Sequence, residues 1–231
     1  MPFLPADPDV RKAAVLGVAV GIYGLSFGVL AATSGLTLWQ AVGLSTLVFA
    51  GGSQFAAVGV IAAGGAPIAA VASGLLLNSR MAAFGLALAP VLGGRLPRRM
   101  LAAHLLIDES AAMALTQPEP RAARRAFWLT GASVFVCWNL ATVLGALAGG
   151  RLGDPEAIGL DAAFPAGFLA LLGPLLDSRA GRLSAACGAA VALALVPFTP
   201  PGVPIIAASA GVLGGLLARR GPEPHAEGFV R

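Results

Sequence analysis

From Ala13 to Ser79 the chain contains no Asp, Glu, Lys, Arg or His, and this uncharged run constrains the fold more than any other feature. Soluble domains carry about 25% charged residues; here 11% of 231 residues are charged, 57% are hydrophobic and the mean hydropathy is +0.84. In lipid, backbone polar groups must be satisfied within the protein, which leaves helices or closed barrels. Barrel strands alternate apolar and polar residues, whereas these runs are continuously apolar. Thirty-one glycines suit close helix packing in a bilayer, where small residues let backbones approach. The chain therefore reads as an all-α integral membrane protein. Its net charge of +4 comes from arginines at the ends of apolar runs (Arg95, Arg98, Arg99; Arg121, Arg124, Arg125; Arg179, Arg182), the pattern of cytoplasmic anchoring. It does not imply nucleic-acid binding.

A spanning helix takes about 20 apolar residues, which predicts about seven: roughly 13–33, 38–62, 67–90, 127–148, 157–176, 183–198 and 202–218. Residues 1–12 and 219–231 are polar tails around a membrane domain over 13–218, and no cleavable signal peptide is expected at the start. Residues 95–126 mix an apolar face with His104, Asp108 and Glu109, which predicts an amphipathic connector lying at the membrane interface. With that connector on the surface and the amino terminus outside, most arginines fall in the cytoplasm. Read as an eighth span, with the amino terminus inside, it leaves Arg95, Arg98, Arg99 and Arg151 outside. Charge asymmetry does not choose between the two.

Polar groups interrupt this apolar background at few places. Gly51-Gly52-Ser53-Gln54 breaks the second run near its middle, and a bilayer tolerates such a break only where the freed backbone faces protein or a water-filled cavity. Asn78 and Arg80 fall within the third run, where a central arginine costs roughly 2.5–3.5 kcal/mol on insertion scales. Asp161 and Pro165 fall in the fifth. Gly43 to Gly51 aligns with Gly159 to Gly167 through Gly, Leu, Ala and Gly, with a helix breaker in each copy. The alignment predicts an inverted repeat with broken helices 2 and 5, an arrangement common in transporters. On this reading Gly51, Gly52, Ser53, Gln54, Asn78, Arg80, Asp161 and Pro165 form a substrate site. Freed amides and a guanidinium would hold a carboxylate, and Asp161 would pair with Arg80, since half a buried ion pair costs more than none. The bland alternatives are hydrogen bonds between helices for Gln54 and Asn78, and a snorkelling Arg80. No histidine or cysteine spacing suggests a metal, no phosphate-binding loop suggests a cofactor, and no catalytic constellation suggests an enzyme.

The stretches VFAGGSQFAAVGVIAAGGAP, LLLNSRMAAFGLALAP, HLLIDES and GLDAAFPAGFLALL, in this order and spacing, resemble the AzlC family of membrane permeases over about residues 14–217. Where family members often have Arg-His after the asparagine of the third helix, this chain has Ser79-Arg80. The resemblance implies export of branched-chain amino acids through the bacterial cytoplasmic membrane. It also implies a small AzlD-like membrane subunit as partner, a homodimer being the alternative. A permease or channel for another small metabolite is the competing reading of the same residues.

Overall fold

The computed structural model describes residues 7–150, 169 and 172–218. They are helical throughout, with no strand among the described residues. Helix α1 (Pro8–Thr33) opens on Pro8, with Asp7 as N-cap accepting from the Asp9 amide at 3.0 Å. A capping box between Thr37 and Gln40 starts α2 (Leu38–Val48). That helix stops at Phe49, whose φ of 35° and ψ of 54° are left-handed, and α3 (Gly51–Ala62) starts two residues later. The predicted second span is thus broken, as expected. The non-helical residues are Phe49 and Ala50, and the two glycines form the first turn of the second half.

The third run forms α4 (Pro67–Asn78) and α5 (Arg80–Leu92), jointed at Ser79. The Ser79 hydroxyl and amide both bond back to the Leu76 carbonyl, at 2.7 and 3.2 Å. This three-residue closure tightens the turn and interrupts the ladder without ending the helix. Together the two halves are long and apolar enough to cross a membrane, as are α1 and α8 (Pro120–Gly149). The stretch expected to be one interfacial helix over 95–126 is instead α6 (Leu96–His104), α7 (Asp108–Leu115) and the first turns of α8. Ala102, Leu105, Ile107, Ala111 and Ala114 belong to the buried core, so this connector packs into the molecule. Beyond it follow α9 (Arg179–Leu195), α10 (Val203–Ala208) and α11 (Val212–Ala218). Most of the predicted fifth span, including Asp161 and Pro165, falls outside the described residues.

The centre of the fold is the pairing of α1 with α8. Gly17, Gly21, Gly24 and Gly28 lie on one face of α1, against Ser133, Cys137, Trp138 and Thr142 of α8. A Cβ added at Gly28 would run into the Thr142 carbonyl, and one at Gly145 into that of Leu25. The helices therefore meet backbone to backbone, which in lipid replaces the hydrophobic driving force with dispersion contact.

Candidate functional site

Where α2 breaks, a cavity of about 250 Å³ opens between α1, α3, α5, α7 and α8. Its size is on the scale of a small solute, just under the roughly 300–1,000 Å³ of drug-sized ligand pockets. One side is apolar: Leu16, Val20 and Tyr23 from α1, Phe55 from α3, Val134 and Trp138 from α8. The other carries Arg80, Asp108 and Glu109, with the backbone of Phe49 to Gly52 between the two sides. Arg80 and Asp108 form an ion pair at 2.7 Å, their side chains 45% and 37% exposed, so both remain reachable from the cavity.

The glycines of the break make room. A Cβ at Gly51 would lie 2.9 Å from Cη2 of Trp138, and one at Gly52 3.4 Å from Nη2 of Arg80. The guanidinium thus rests against the first turn of α3. No side chain caps that turn, and helix geometry leaves its first amides without carbonyl partners. Positive helix end and guanidinium converge on one spot, where a carboxylate is favoured. Beside Arg80, Asp108 and Glu109 head α7, whose own positive end suits two acids.

The remaining described site residues hold the frame. Fully buried Gln54 donates to the Leu44 and Ser45 carbonyls at 3.2 and 3.3 Å. These oxygens belong to the last turns of α2, just before the break. Its own Oε1 accepts from Trp138 Nε1 at 3.0 Å, which fixes the indole that walls the cavity. Ser45 donates to Asn139 at 2.8 Å, and Ser53 donates to Asn78 at 2.7 Å. Of the predicted residues, then, Gly51, Gly52 and Arg80 line the cavity, while Ser53, Gln54 and Asn78 tie α2, α3, α4 and α8 together. Asp161 and Pro165 lie outside the described residues.

The sequence alone places Asp108 and Glu109 in an interfacial connector; the structure places them in the cavity wall. The letters alone do not separate them from an interfacial pair; the burial of Leu105 and Ile107 is what turns them inward. Among the described residues no group of three or more His, Cys, Asp or Glu side chains could hold a metal ion.

A solute-sized cavity at a broken helix, apolar on one side and charged on the other, fits a helical membrane protein with a transport role. The chain belongs to the AzlC family, whose profile, described as AzlC protein, matches residues 15–152. Every residue lining the cavity falls in that stretch. The chain is also 34% identical over 194 residues to an uncharacterized membrane protein of Archaeoglobus fulgidus, covering 81% of this chain and 84% of the relative. No solved structure matches it.

Proposed function

We propose that this protein is a secondary transporter that exports branched-chain or other small apolar amino acids across the bacterial cytoplasmic membrane, driven by an ion gradient. The observation that carries the reading is the division of the cavity, with Arg80 and the first turn of α3 on one side and an aliphatic and aromatic wall on the other. A carboxylate fits the first, and a branched hydrocarbon side chain fits the second. Direction of flux and a small AzlD-like partner follow from the family resemblance. Asp161 and Pro165 enter the proposal as the second repeat's share of the path.

Counter-flow of labelled leucine, isoleucine and valine in proteoliposomes tests the reading. Saturable exchange is expected. Flux that rises linearly with concentration would replace the carrier with a channel for another small metabolite. Purification in mild detergent should retain a small hydrophobic subunit or a homodimer, and full activity of an isolated monomer would remove the partner from the proposal.

A further inference from the structure

The carboxylate position beside Arg80 is already occupied. Asp108 reaches across from α7 and fills it at 2.7 Å, so an incoming carboxylate must share the guanidinium or displace the acid. Displacement alone would strand Asp108 next to Glu109, two like charges on adjacent residues lining one cavity, and a single unpaired member of an ion pair is costlier than the pair absent altogether.

We propose that the substrate inserts into the Arg80–Asp108 ion pair as an intact zwitterion. Its carboxylate takes the place of Asp108 at Arg80, beside the first-turn amides of α3. Its ammonium takes the place of Arg80 at Asp108, with Glu109 one residue further along the same wall. The exchange conserves charge, because one plus and one minus enter between one plus and one minus. Asp108 thereby becomes a specificity-determining residue for the amino group, a role separate from the carboxylate recognition assigned to Arg80. The geometry supports insertion in three ways. Both side chains line the cavity, both are partly exposed in the paired state, and they belong to different helices, α5 and α7, which the substrate would bridge.

The inference rests on the transport reading above, and the test separates the two. In proteoliposomes of the unaltered protein exchanging labelled leucine, three competitors are compared: leucine, 4-methyl-2-oxopentanoate, which lacks the amine, and 3-methylbutylamine, which lacks the carboxylate. Both single-charge analogues should compete about tenfold or more weakly than leucine, since each leaves one charged partner without its hydrogen bonds. In Asp108→Asn, leucine affinity should fall by about tenfold while the oxo acid gains on it, Arg80 now having no resident carboxylate to displace; Asp108→Glu should keep the preference for leucine. An oxo acid that competes within about threefold of leucine in the unaltered protein, a gap under 1 kcal/mol, overturns insertion and leaves the transport reading standing. So does an Asp108→Asn protein with an unchanged leucine-to-oxo-acid ratio. Absence of saturable exchange for any branched-chain amino acid overturns the transport reading, and this inference with it. The competition series on the unaltered protein decides the matter even if Asp108→Asn does not fold.

Discussion

Gln54 distinguishes a residue that binds substrate from one that holds the binding site, and Gln54→Leu tests which it is. The side chain is fully buried and does not line the cavity. It makes three hydrogen bonds, to the Leu44 carbonyl, the Ser45 carbonyl and the Trp138 indole. Hydrogen bonds within membrane proteins average about 0.6 kcal/mol, so losing three sets a floor of about 2 kcal/mol. The figure rises towards about 4 kcal/mol because leucine leaves the buried Trp138 indole N–H unpaired, at about 1–3 kcal/mol where no relaxation supplies a partner. A loss of roughly 2–4 kcal/mol in a chain of this length lowers the melting temperature by about 4–16 °C, taking the soluble-protein scale of about 2–4 °C per kcal/mol. Thermal unfolding in detergent, followed by circular dichroism, measures it. The surviving folded protein should exchange leucine with a KM within about threefold of the unaltered value. If Gln54→Leu melts normally but raises KM more than about tenfold, the glutamine is a ligand and the framing role is refuted.

Arg80→Ala should abolish leucine exchange while the protein still inserts, as judged by proteoliposome flux against membrane yield. Gly51→Leu with Gly52→Leu places side chains against Trp138 and Arg80; flux should fall to background at normal expression, and full flux in the double variant would show that the cavity is not the path. Gly28→Leu drives a side chain into the Thr142 carbonyl and should leave little monodisperse protein on size exclusion. Arg125→Ala, which removes an exposed ion pair with Asp7, should leave the melting curve where it was, because such surface pairs contribute little.

How much of this was legible in the sequence depended on contrast. The break in the second helix and Arg80 stood out because each is costly in apolar surroundings, and cost is visible without a fold. The exact break point was not visible, because Phe49 takes a left-handed conformation that no pattern in its own type announces. Asp108 and Glu109 sit in a mixed stretch where charge is unremarkable, and the same letters would serve an interfacial helix equally well. Only the packing of Leu105, Ile107 and Ala111 into the core turns those acids towards Arg80. Trp138 packs between helices and stacks on Phe27 at 6.1 Å. Its bond to Gln54 spans 84 residues, a separation that local periodicity does not encode.

The backbone-to-backbone seam between α1 and α8 has a consequence for how the cavity works. At Gly28 and Gly145 the two backbones touch with no side chain between them, which leaves the helices little room to slide past one another there. Val20, Val134 and Trp138 are carried by the two helices of that seam. Arg80 and Asp108 are mounted on short helices outside it. On the transport reading proposed above, the surface that meets the hydrocarbon would stay constant through the cycle and the surface that meets charge would vary, fit being tested against a fixed template and release following the parting of α5 and α7 from it.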